Sequence, residues 1–328
     1  MKKLLLVSSV CLFLTGGGLK PIPAVVKAET PLSVAQLNNS SQTPPAMQTQ
    51  VELLDAGIEP RQELRFTPVA NSKQTATMRT SMDVTSTISG QPMPQIKVPS
   101  SDMTMEVTIT QVDANGDIHS EFAFTQANVL AEPDVPPEVL NAMRSALKQV
   151  VGLRGSSIMD NRGQIKSGNL VLPQGLDPVT KQLFEQVSNS LTQLSFPLPV
   201  EAVGKGAKWR VSSAFNMGGI NLSQSAIYEL VDRQDNVITL NVNVEQQADS
   251  QELTPPGAPT EISITLKSLS SQGQGRMTMR LDTAMPIRST MSLSSKNEMN
   301  IKQSTSGEEM AVETNLSMQT NLESQGQN

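Results

Sequence analysis

From Glu63 onward the apolar residues recur at every second position, and that period decides what the chain can fold into. Met78, Met82, Val84 and Ile88 share one parity, with Thr, Arg, Ser and Asp between them. Met103, Met105, Val107 and Ile109 repeat the habit, and Ile118, Phe122 and Phe124 resume it after Asp113-Ala114-Asn115-Gly116. The runs Ile238–Val244, Ile262–Leu266, Met277–Leu281 and Met310–Leu322 follow the same rule. Successive strand side chains point to opposite faces, so these runs predict strands with one apolar and one polar face. That is the signature of antiparallel sheet. Roughly ten to twelve such segments are present. Asn115-Gly116 between two of them predicts a hairpin, because both residues tolerate positive φ.

Two stretches change period. After Asp134, Pro136 and Pro137, the residues Val139, Leu140, Met143, Ala146, Leu147, Val150 and Val151 fall at helical spacing and stop at Gly152. This predicts a helix near 136–151. Asp177-Pro178 opens a second over 178–194, with Val179, Leu183, Phe184, Val187, Leu191 and Leu194 as its stripe. A hairpin around Asp160-Asn161-Arg162-Gly163 lies between them. The predicted fold is mostly β, or α+β: one large curved antiparallel sheet with two covering helices. It forms a single domain over 61–323, with 324–328 as a disordered tail.

Residues 1–28 read as a secretory signal peptide. Lys2 and Lys3 precede the apolar run Leu4–Leu14, and Val26-Lys27-Ala28 offers small residues for cleavage between Ala28 and Glu29. The run is about 11 residues, short of the ~20 that span a bilayer. Cleavage is therefore expected, and with it the loss of Cys11. The mature chain is then exported, to periplasm or medium, with no membrane-spanning segment. Residues 29–60, rich in Pro, Ser, Gln and Asn, predict a flexible leader holding at most a short helix within Gln50–Ala56.

Composition removes whole classes of chemistry. One His and one Cys exclude His–His, Cys–His and multi-Cys constellations, so no such catalytic or metal centre is expected. A net charge of −6 argues against a nucleic-acid partner. His119 follows the inward Ile118 and is expected to face solvent. Asp113, Asn115 and Asp117 resemble the start of a calcium loop, but Ile118 replaces the turn glycine and Phe124 stands where a bidentate Glu belongs. Gly152-x-x-Gly155 and Gly204-x-Gly206 lack the strand-to-helix setting of a phosphate loop. The latter reads as a turn into a strand carrying Trp209 as a core anchor. No Ser-x-x-Lys opens a predicted helix, and a paired-carboxylate glycosidase would show more aromatics than the 3% present. No catalytic residue and no cofactor are expected.

Geometry supplies the functional lead. Ten strands make a sheet ~48 Å wide, and two helices cover only ~20 Å of it. The rest of the apolar face is buried by curling of the sheet, or it forms a groove for something apolar. The chain has 17 Met, and Met makes such a face deformable. The expected function is non-enzymatic binding of an apolar ligand or partner segment in the cell envelope. The alternative is a structural or interaction protein of the envelope without a small ligand.

Three short motifs carry a resemblance. Gly204-Lys205-Gly206-Ala207-Lys208-Trp209-Arg210, Met159-Asp160-Asn161-Arg162-Gly163-Gln164 and Leu194–Pro199 resemble a family of exported bacterial β-rich proteins of unknown function. That resemblance implies a β-rich domain over most of the mature chain and assigns no catalytic residue. More distantly, the architecture is similar to periplasmic lipoprotein-carrier half-barrels. The similarity implies helices over a concave sheet and binding of lipid or lipoprotein, by analogy of fold alone.

Overall fold

A computed structural model describes residues 49–172, 174–175, 197–217, 219–254, 261–303 and 307–327. Among them are fourteen strands and one helix. The strands are β1 (Gln50–Asp55), β2 (Lys73–Ile88), β3 (Gln91–Pro92), β4 (Ile96–Val112), β5 (Ile118–Val129), β6 (Arg154–Met159) and β7 (Ile165–Val171). After them come β8 (Lys208–Met217), β9 (Ile220–Gln234), β10 (Val237–Ala248), β11 (Gln251–Leu253), β12 (Ile262–Arg280), β13 (Pro286–Gln303) and β14 (Glu309–Gln327). Helix α1 (Pro137–Lys148) joins β5 to β6 and packs against β5.

All strands belong to one antiparallel sheet, ordered β1-β8-β9-β10-β12-β13-β14-β2-β4-β5-β6-β7, with β11 beside β12 and β3 beside β2. Most neighbours in the ladder are consecutive in the chain, with two long-range junctions: β1 pairs with β8, and β14 pairs with β2 along its length from Val312↔Ile88 to Gln327↔Lys73. The sheet does not close into a barrel: β1 and β7 stand at opposite ends of the order. Bulges interrupt the pairing at Thr80/Met82, Thr104/Met105, Thr239/Leu240 and Leu266/Ser268. Each bends its strand and adds twist, which curls the sheet.

The predicted parity holds along the strands. On β13 the inward positions run Met291, Leu293, Ser295, Asn297, Met299 and Ile301, and the more exposed positions between them include Ser292, Ser294 and Lys296. Two apolar clusters fill the two ends of the inner face. The first gathers Trp209, Tyr228, Leu230, Ile238, Leu240 and Met279 with Ile109 and Ile118 from the other limb of the sheet. The second gathers Phe215, Leu222, Ile264, Leu266, Met299 and Val312. Fully burying one such large side chain stabilises the fold by about 1.5–3 kcal/mol.

An irregular strap, residues 56–72, laces the first end. Gln62 and Val203 exchange both backbone hydrogen bonds at 3.0 Å, Phe66 N donates to Asn161 O, Thr67 N to Leu281 O, and Asn71 N to Ile109 O. These contacts reach four separated parts of the chain. They carry Leu64 (0% exposed) and Phe66 (5%) into the first cluster. The strap crosses the 203–207 turn where Gly204 leaves no room for a side chain: a Cβ there would lie 1.8 Å from Ile58 O.

Three expectations change. Gln50–Asp55, assigned to the leader and to a short helix at most, is a strand paired with β8 through Leu53↔Trp209. Ser324, assigned to a disordered tail, is buried in β14 and donates to Pro286 O at 2.7 Å. Helix α1 ends at Lys148, three residues short of 151, and Gly152 (φ +90°) turns the chain into β6. The hairpin expected at Asn115-Gly116 forms between β4 and β5, with Gly116 at φ +87° and its N–H donating to Asp113 O. The second helix expected over 178–194, and the cleavage site at Ala28 and Glu29, lie outside the described residues.

Candidate binding surface on the concave face

Between the two clusters the inner face changes character. On the β14, β2 and β4 side it carries apolar rows that are only half-buried, separated by the hydroxyl row Thr320, Thr80 and Ser101. The register aligns Leu322, Met78 and Met103 in one row, and Leu293, Met318 and Met82 in another. All six are half-buried, in contrast to Met279 (2%) and Met299 (1%) within the clusters. Thioether side chains are long and weakly specific in shape, so such rows adapt to what lies against them. On β12, Gly275 pairs with Met291, and a Cβ at Gly275 would meet Met291 Cε at 3.0 Å. The glycine thus makes room for the methionine on the inner face. Helix α1 shows the same incomplete cover: Val139, Leu140, Met143, Ala146 and Leu147 form its apolar stripe, and none is buried.

On the β8 to β13 side the inner face carries a polar band. Ser213, Gln224, Gln246, Ser271 and Ser295 are consecutive partners across five strands. One step along, Asn297, Thr314 and Ser86 continue across three. Gln246 Nε2 donates to Gln224 Oε1 at 2.8 Å, Ser271 Oγ donates to Ser295 Oγ at 2.9 Å, and the Ser86 and Thr314 hydroxyls lie 3.3 Å apart. Ser271, Ser295, Asn297 and Thr314 are all at least nine-tenths buried. Pairing within the band offsets most of the desolvation of these groups. Asn297 Oδ1 is buried with no partner among the described residues, which costs about 1–3 kcal/mol.

The residues singled out in the sequence sit elsewhere. His119 and Asp113 face each other across the β4–β5 hairpin with Nε2 and Oδ2 2.8 Å apart, and both are half-exposed. That hydrogen bond, with a second from Gln111, holds the Asp113 carboxyl below the usual carboxylate range. Asp117 is held low by Lys166, whose Nζ lies 2.6 Å from Oδ1, and Asn115 bonds Asp117. The calcium-loop residues therefore serve the turn and its neighbour strand. No group of three or more His, Cys, Asp or Glu is placed to hold a metal among the described residues. Asp160 Oδ1 accepts from Arg162 N and Gln164 N, which accounts for the β6–β7 turn. Trp209 is the core anchor expected of it, 1% exposed and stacked on Tyr228. The polar band was not anticipated: each of its residues reads locally as one more polar position, and only the pairing aligns them.

No protein-family model and no curated protein matches the sequence. Neither the family of exported proteins nor the lipoprotein-carrier comparison gains support from them. Solved structures align weakly. The outer membrane protease OmpT from Escherichia coli aligns at 10% identity and a TM-score of 0.24, over 81% of this chain and 99% of its own. Salmonella typhi OmpF aligns at 8% identity and a TM-score of 0.17, over 76% and 98%. At such scores a shared fold is not shown. No described helix is long and apolar enough to cross a membrane.

Proposed function

We propose that this protein is an exported, non-enzymatic binder that holds an apolar ligand against the concave face of its sheet. The observation that carries the reading is the pair of registered Met and Leu rows on β13, β14, β2 and β4, left half-buried while the ends of the same face are sealed. The rows flank the hydroxyl row Thr320, Thr80 and Ser101 on the same face, and accessible apolar side chains grouped in this way mark a place where something binds. Hydroxyls, amides and thioethers line the face between the clusters, which suits holding a molecule rather than transforming it. Export follows from the reading of residues 1–28.

The test is to purify the mature protein from its native envelope and analyse its organic extract by mass spectrometry. An apolar molecule is expected to co-purify with the parent and to be lost from Met318→Lys, which places an ammonium in the middle of one row. A parent protein with no bound apolar molecule, and no uptake of a neutral dye such as Nile red, overturns the proposal.

A further inference from the structure

The concave face is selective in a second respect. Between the clusters its inward positions are Ser213 on β8, Gln224 and Ala226 on β9, Val244 and Gln246 on β10, and the alternate residues 269–277 on β12, 289–297 on β13, 314–322 on β14, 76–86 on β2 and 101–105 on β4. None of these is Asp, Glu, Lys, Arg or His. Apart from Arg233 near the end of β9, the ionised side chains of the same strands occupy the opposite face. Arg79 pairs with Asp102, and Lys296 with Glu298 and Glu313, all outside. Along β9 the first cation on the inner face is Arg233, the partner of Ile238, beyond Leu230 and beside the turn, where its Nε donates to Asp235 O.

A lining of this composition discriminates by charge. An ionised head group drawn into it would lose its hydration with no counter-charge to meet it, a penalty of about a hundredfold or more in affinity. An uncharged polar group meets hydroxyls and amides that are already desolvated. Asn297 adds a specific demand: its side chain is 7% exposed, it points inward between Ser295 and Met299, and its carbonyl oxygen has no donor among the described residues. We infer that the ligand is an uncharged amphiphile, an apolar chain bearing a neutral hydrogen-bond donor such as a hydroxyl or amide, whose polar end sits in the band at Asn297 and Thr314. The inference rests on the reading of the concave face as an apolar-ligand site and names the chemical class that site accepts.

Displacement of Nile red from the full mature protein by dodecanol, dodecanoate, dodecyltrimethylammonium and dodecane at neutral pH tests it. Dodecanol is expected to displace the dye at least about tenfold more effectively than either ion. Asn297→Leu is expected to weaken dodecanol about two- to tenfold and leave dodecane unchanged, because only the hydrogen bond is lost. Should Asn297→Leu lose both probes by misfolding, Thr314→Val, which removes one hydroxyl at nearly constant shape, is read by the same ratio. Equal displacement by dodecanoate and dodecanol overturns the neutral-ligand inference and leaves the apolar-ligand reading standing. An unchanged ratio of dodecanol to dodecane in a folded variant overturns the polar subsite. Failure of all four probes, dodecane included, overturns the underlying reading itself.

Discussion

Trp209 lies face to face with Tyr228, its registered partner across the β8–β9 ladder, with ring centroids 5.6 Å apart and planes 11° from parallel. The pair sits in the first apolar cluster, and burial pushes the Tyr228 phenol up to about 12. The unfolded phenol ionises near pH ~10, so its contribution is fully present below pH ~10 and is lost as pH rises towards ~12. The loss amounts to about 2–3 kcal/mol. Denaturant unfolding across that range should show this slope in the parent and lack it in Tyr228→Phe. The chain has one Tyr, so an absorbance titration of the folded protein with a midpoint near ~10 would contradict the assignment.

Gln74 is 6% exposed and its Oε1 accepts from Ala284 N at 2.8 Å and Met285 N at 2.9 Å. It ties the loop after β12 to the start of β2. Gln74→Leu keeps the volume and strands both donors, with an expected loss of about 1–3 kcal/mol. Equilibrium unfolding measures the loss, and faster amide exchange at 284 and 285 localises it.

Gly204 and Gly90 should respond differently to the same change. A Cβ at Gly204 would meet Ile58 O at 1.8 Å, so Gly204→Ala forces the strap off the turn and should cost about 2–4 kcal/mol. Gly90 has φ +80° with nothing within 4 Å of its Cβ position, and Gly90→Ala should cost about 1–2 kcal/mol from backbone strain alone. In Gly204→Ala the Ile58 amide, which donates to Lys205 O, should lose exchange protection.

Mild peroxide treatment should sort the methionines by their cover. Met78, Met103 and Met318 are half-buried and should become sulfoxides before Met279 and Met299, which are 2% and 1% exposed. Peptide mapping by mass spectrometry gives the order. Uptake of Nile red should fall in step with the first group, because a sulfoxide makes the rows polar.

Much of this was legible along the chain. Period-2 alternation located the long strands and their apolar parity, and Gly116 and Gly163 marked hairpin turns. The misreadings share a cause. Gln50–Asp55 and Ser324 look like solvated segments on their own, and each is ordered by a partner far away in sequence, Trp209 and Pro286. Ser271, Ser295 and Asn297 are likewise unremarkable singly, because any strand carries serines and asparagines.

Local alternation therefore determined that this chain forms strands, and which side of each is apolar, since a strand's side-chain directions follow from its own backbone. Tertiary structure decided how far the sheet curls, which edges stay open, and that one strap crosses its end through pairs such as Phe66–Asn161 and Asn71–Ile109. It also decided the stretch of the concave face between the clusters that carries no charge, where polar residues from seven strands meet in one band. Those features depend on register between segments separated by tens to hundreds of residues, such as Val312↔Ile88, and no local pattern encodes a partner.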